Sequence, residues 1–138
     1  RLILEITEHA RIEDYEDLVS VLAPFRDQGM ALAVDDAGAG YACFQHIITL
    51  KPDIIKLDMT LTRSIDSDAA RRALASALIF FARETGAELV AEGIETEAEL
   101  QTLKVLGIHY GQGYLLGRPT CVADAVELVS GKSSRMAR

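Results

Sequence analysis

A chain of 138 residues, 49% of them hydrophobic, is long enough for one domain with a buried core and leaves little room for extended disorder. With 14 basic against 21 acidic residues its formal charge is −7, which argues against a DNA-binding surface, because phosphate backbones need a basic footprint. Cys43 and Cys121 form no zinc or disulfide framework, the longest apolar run (73–82) is broken by Ser76 and too short to span a bilayer, and no signal-peptide pattern opens the chain, so the expected setting is cytoplasmic and not membrane-bound.

The chain opens on Arg1-Leu2-Ile3-Leu4, an apolar run with no initiator methionine, which reads as a piece of a longer polypeptide. Residues 2–7 are the first expected strand. A helix is expected over 13–28, with Tyr15, Leu18, Val19, Leu22 and Phe25 on one apolar face and Gly29 as its stop. Pro24 lies inside it and should cost a hydrogen bond or bend its last turn. A second strand over 31–35 leads through Gly38-x-Gly40 to a short helix over 42–49, and a third strand covers 53–58. A long helix over 67–85 offers Ala70, Leu74, Ala77, Leu78 and Phe81 to the core and ends at Gly86. A fourth strand follows over 88–92. Thr96-x-x-Glu99 has capping-box spacing and starts a helix that packs through Leu100 and Leu103 and stops at Gly107. A Gly-rich fifth strand near 109–112 and a short helix over 122–129 complete the pattern, and residues 131–138 form a polar, basic tail.

None of the five strands shows the polar alternation of a half-solvated antiparallel sheet. Alternating βα units predict an α/β fold with a parallel sheet and right-handed crossovers, either doubly wound or barrel. The polar residues favour the barrel. Each strand finishes on one or two of them: Glu5, Asp35 with Asp36, Lys56 with Asp58, Glu92, and Gln112. Each interval is long enough for one helical crossover, so these groups share the rim at the carboxyl ends of the strands, where barrel enzymes assemble their sites.

Two carboxylates about 4 Å apart repel by roughly 4 kcal/mol at an effective dielectric near 20. Several converging on one rim therefore call for a cation. Oxygen ligands without thiolate or imidazole suit Mg²⁺ or Mn²⁺. Adjacent Asp35 and Asp36 could serve two ions, lowering the pKa of a water and clamping a phosphate, with Lys56 orienting or stabilising at that centre. Each group alone has an ordinary alternative: a turn or helix cap for the Asp pair, a rim salt bridge for Glu5 or Glu92, and an ordinary strand-end charge for Lys56. Glu8 either holds the 38–40 loop or faces water. His9, His46 and His109 lack ligand spacing and are assigned no chemistry.

Five stretches carry a family resemblance: Leu4-Glu-Ile-Thr-Glu8, Asp35-Asp-Ala-Gly-Ala-Gly-Tyr41, Asp53-Ile-Ile-Lys-Leu-Asp58, Ala91-Glu-Gly-Ile-Glu-Thr96 and Gln112-Gly-Tyr-Leu-Leu-Gly-Arg-Pro119. In this order they resemble the EAL family of cyclic di-GMP phosphodiesterases. The resemblance implies the later part of a TIM-like barrel, with residues 1–130 a partial EAL domain, that hydrolyses cyclic di-GMP to pGpG with two Mg²⁺ or Mn²⁺ ions. It further implies that Glu5, Asp35 and Glu92 are metal ligands, that Asp36 addresses the second ion, and that Lys56 holds the attacking water. Glu8 would anchor the loop after the Asp pair, and Gln112 and Glu95 would support the site from the rim; Lys56, Glu92 and Gln112 would form the catalytic set.

The loop departs from the usual family pattern, with Ala37 in place of Phe, Ala39 in place of Thr and Ala42-Cys43 in place of two Ser. The Glu-Ala-Leu signature, its neighbouring phosphate-binding Arg and an Asn ligand are absent from these residues. The expected partners are cyclic di-GMP and either the remaining part of the barrel or a second copy of the chain. A non-catalytic module that senses cyclic di-GMP or contacts a protein is the alternative, favoured by the altered loop.

Overall fold

The computed structural model describes residues 2–7, 12–37 and 41–121, with backbone alone at 41–43. Glu8, the glycines at 38 and 40, the expected helix over 122–129 and the tail over 131–138 lie outside the described residues.

The elements run β1 (Ile3–Ile6), α1 (Tyr15–Asp27), β2 (Ala31–Ala37), α2 (Tyr41–Leu50), β3 (Ile54–Leu57), α3 (Met59–Thr62), α4 (Ala69–Thr85), β4 (Glu88–Ala91), α5 (Glu97–Leu106) and β5 (Tyr110–Gly111). The five strands form one sheet in the order β1-β2-β3-β4-β5, and every neighbouring pair is parallel. A doubly wound sheet reverses its strand order at a switch point, whereas a barrel adds strands in sequence. The sequential order is that of a barrel, and it brings every strand's carboxyl end to one rim.

Local chemistry sets the helix ends. Asp14 caps α1 by accepting from the Asp17 amide at 3.0 Å, and Arg26 sits in its last turn, where a cation complements the dipole. Pro24 remains inside α1. Asp68 caps α4 through the amides of Ala70 and Arg71, and Gly86, in the left-handed region at φ +76°, ends it. The capping box of Thr96 and Glu99 forms as expected from the sequence. The single turn α3, capped by Asp58, was not anticipated, because four residues are too few to show a helical period.

The main core lies between β2–β4 and the helices α4 and α5, around Val34, Ile55, Leu57, Ile65, Leu78, Ile94 and Leu103. A smaller cluster of Leu22, Leu32 and Leu50 fills the space under α1 and α2. Tyr15 packs against this cluster, and its hydroxyl lies 2.7 Å from Nδ1 of buried His46, tying the two helices together.

Three expectations about burial need correction. In α1 only Leu22 is fully buried, while Val19 and Phe25 are 44% and 52% exposed. In α4 the buried face is Ala75, Leu78, Ile79 and Ala82, with Leu74 exposed. A helix this rich in small apolar residues is compatible with several faces, and the crossover onto the sheet selects among them. Nor is β1 a buried strand: Ile3 and Leu4 are exposed, because the sheet carries no strand on its far side among the described residues.

Candidate metal centre

The strand ladders continue to the rim through backbone bonds from Asp58 to Ala37, Glu92 to Leu57 and Gln112 to Ala91. Four neighbouring strands therefore present their terminal polar side chains at one level. At its centre is Lys56, whose Nζ lies 3.1 Å from Glu5 of β1, 3.0 Å from Asp35 of β2 and 2.8 Å from Glu92, the residue after β4.

The Asp pair is shaped by a bulge. The register of β2 against β3 runs from Val34 with Ile55 to Ala37 with Leu57, so Asp35 and Asp36 together stand opposite Lys56. Asp36 adopts φ +57°, a left-handed conformation uncommon outside glycine, and its amide donates to Asp35 Oδ1 at 3.0 Å. In a regular strand successive side chains point to opposite faces. The bulge cancels that alternation, and ligand atoms of Asp35, Asp36 and Glu92 come within 4.8 Å of one another. Glu5 is not in this group of three; it adjoins the cluster through Lys56 and through a side-chain hydrogen bond with Asp35.

Electrostatics follow from this packing. Burial pushes the Asp35 carboxyl up, but hydrogen bonds from Lys56 and within the cluster outweigh it and hold the group below its ordinary range. Burial likewise disfavours the charged Lys56, yet Glu92, Asp35 and Glu5 overcome it and raise its pKa. Glu92 is raised by burial, opposed by Lys56, with Asp35 and Asp36 adding repulsion. The centre is thus still short of positive charge. Three oxygen donors at this spacing, with one of them pushed toward protonation, fit a hard divalent cation.

The other expected residues surround this group. Gln112 donates from Nε2 to Glu92 Oε1, the oxygen that also faces Lys56, and so fixes that carboxylate. Glu95 pairs with Arg63 at 2.7 Å. A cavity of about 610 Å³ opens beside Gln112 and Glu95, bounded by Met59, Gly93, Tyr114 and Arg118. The Arg118 guanidinium lies 4.6 Å from the centre of the Tyr114 ring, a cation–π contact on its wall.

Sequence reasoning missed the reach of Glu99. Only 3% exposed, it accepts from the Ser64 amide at 2.9 Å and from the Glu95 and Thr96 amides at 3.0 Å each. It thereby joins the segments that follow β3, which carries Lys56, and β4, which leads into Glu92. The capping-box spacing gave a signal for the Thr96 bond alone; the Ser64 contact spans 35 residues and has no local signature.

Comparison with known proteins adds the following. The model of the EAL domain matches residues 1–119. The probable cyclic di-GMP phosphodiesterase PdeD of Escherichia coli is 34% identical over 138 residues, which cover all of this chain and 26% of that protein. The crystal structure of the EAL domain of Mycobacterium smegmatis DcpA superimposes with a TM-score of 0.86 at 32% identity, covering 94% of this chain and 58% of that one. A manganese and cyclic di-GMP complex of Klebsiella pneumoniae BlrP1 gives a TM-score of 0.77 at 36% identity, covering 85% and 30%. The chain thus spans about a quarter of the length of the curated relative PdeD.

Proposed function

Because the chain belongs to the EAL domain family, we propose that it supplies the later βα units of a barrel that hydrolyses cyclic di-GMP to linear pGpG with divalent metal, Mg²⁺ or Mn²⁺. The observation that carries this reading is the convergence of Glu5, Asp35 and Glu92 on Lys56, with Asp36 brought alongside by the bulge. We take residues 1–130 as the domain portion and 131–138 as a tail.

In this reading Asp35, Asp36 and Glu92 hold metal, and Glu5 joins them once the rest of the barrel is present. Ions held there would supply a water of lowered pKa and offset the charge of the phosphate. The remaining steps belong to the chain. Gln112 keeps Glu92 oriented, and Lys56 holds the water in line with the scissile bond. That water adds to phosphorus, one P–O bond opens, and the proton the water gives up balances the one the released sugar oxygen takes. The cavity beside Gln112 gives the dinucleotide access to this rim. No helix among the described residues is long and apolar enough to cross a membrane.

A second reading rests on Ala37, fully buried at the end of β2 where the family loop usually carries Phe. A shortened side chain there favours a module that binds cyclic di-GMP or a protein without turning the nucleotide over. Assay of pGpG release by the full-length protein, with Glu92→Ala as control, separates the two. Release abolished by the substitution supports the enzyme, whereas cyclic di-GMP binding without release supports the second reading. Calorimetry with Mn²⁺ tests the metal site itself: Asp35→Asn should weaken binding at least tenfold, and unchanged affinity would remove Asp35 from the site.

A further inference from the structure

In the proposed reaction Lys56 holds the water, but its surroundings give it a second task. Its ammonium touches carboxylates from β1, β2 and the end of β4 at 2.8–3.1 Å, and its side chain is 14% exposed. Two of those carboxylates, Asp35 and Glu92, belong to the three whose ligand atoms converge within 4.8 Å. A divalent ion bound at about 2.0–2.1 Å from its oxygens would, if Lys56 stayed in place, sit within about 5 Å of the ammonium. Like charges at that range in a partly buried site repel strongly. The same oxygens are also in demand: Asp35 Oδ1 accepts from the Asp36 amide, and Glu92 Oε1 accepts from Gln112.

We propose that Lys56 is an exchangeable internal cation, which neutralises Glu5, Asp35 and Glu92 in the absence of metal and, when a divalent ion binds, gives up Asp35 and Glu92 while keeping Glu5 and the water it holds for the reaction. Its flexible four-carbon stem permits the withdrawal, which a rigid arginine fork would resist. The arrangement allows the carboxylates to stand together on one rim with the fold intact, and it makes metal affinity the outcome of a competition. The inference rests on the reading that Asp35, Asp36 and Glu92 hold metal, and it goes beyond it by assigning what the metal displaces.

The test uses the full-length protein, with Mn²⁺ titrated calorimetrically into the unsubstituted form, Lys56→Met and Lys56→Arg, and each melted in chelator. Lys56→Met should bind Mn²⁺ at least tenfold more tightly and melt at a lower temperature in chelator, while Lys56→Arg should bind no more tightly than the unsubstituted form. Equal or weaker binding by Lys56→Met would overturn the proposal while leaving the metal site standing. Absence of Mn²⁺ binding in every form would remove both. Should Lys56→Met fail to fold, ¹⁵N spectra of the unsubstituted protein decide: the Lys56 ammonium signal should shift and broaden at saturating Mg²⁺, and an unchanged signal would refute the exchange.

Discussion

Asp36 concentrates in one residue the tension between backbone and chemistry. A left-handed backbone costs a non-glycine residue about 1–3 kcal/mol, tolerated where the surroundings over-determine it, and here φ +57° is what sets two adjacent carboxylates beside Glu92. Asn tolerates this conformation and a β-branched side chain does not. Asp36→Asn should therefore leave stability to urea nearly unchanged while weakening Mn²⁺ binding, and Asp36→Val should lose about 1–3 kcal/mol of stability. Equal stabilities would show that the bulge carries no strain. Glu99 gives a second residue-scale outcome. Burial raises its carboxyl, but the amides of Ser64, Glu95 and Thr96 outweigh it and hold its pKa below the ordinary 4.5. A carboxyl lowered by folding stabilises above its unfolded pKa, and that contribution is lost as pH falls through the folded one. Glu99→Gln should accordingly cost about 1.5–3 kcal/mol at pH 7, the worth of hydrogen bonds to a charged group. The gap should narrow as melts are taken below pH 4.5; a gap constant with pH would show that the charge on Glu99 is not what matters. The charged residues of the rim were legible in the sequence because each follows an apolar run. The bulge that aligns two of them was not, since Asp35-Asp36 reads equally well as an ordinary turn.

At the scale of elements, legibility followed length. The helices over Tyr15–Asp27, Ala69–Thr85 and Glu97–Leu106 stood out by period and caps, and the two-residue β5 falls within the Gly-rich strand expected near 109–112, whereas the four residues of α3 are too few to show a period. Burial faces were read less well, as the displaced stripe of α4 shows, because an Ala-rich helix carries little contrast between its sides. The turn after β5 illustrates a constraint visible only in three dimensions. Gly113 has φ +157°, and a Cβ there would lie 2.2 Å from both the amide nitrogen and the carbonyl oxygen of Ile94. Those backbone atoms cannot yield without moving the segment after β4, which bonds back through Ile94 N–H to the Gln112 carbonyl at 3.1 Å. Gly113→Ala should consequently destabilise by toward the upper end of the usual 0.5–3 kcal/mol range. It should also release Gln112 from Glu92, seen as a loss of activity larger than that of Gln112→Ala alone. A variant as stable and as active as its parent would mean that the turn is looser than its contacts.

For the molecule as a whole, strand order decides what the surface must do. Sequential parallel strands place β1 and β5 at opposite edges of the sheet, and β1 presents Leu2, Ile3 and Leu4 at 67%, 49% and 38% exposure. A parallel strand buried on both faces carries apolar side chains throughout, and β1 has that composition without that burial. Its backbone is paired with β2 on one side only among the described residues, and an open, apolar edge is a template for pairing with another chain. A polypeptide of these 138 residues alone should therefore self-associate, and Leu4→Lys, which places a charge on the edge, should shift it toward monomer. Light scattering with intact mass spectrometry measures both. A 15.0 kDa species that stays monomeric at high concentration and melts cooperatively would show that β1 needs no partner, and that the exposed leucines are accommodated by the fold as it stands.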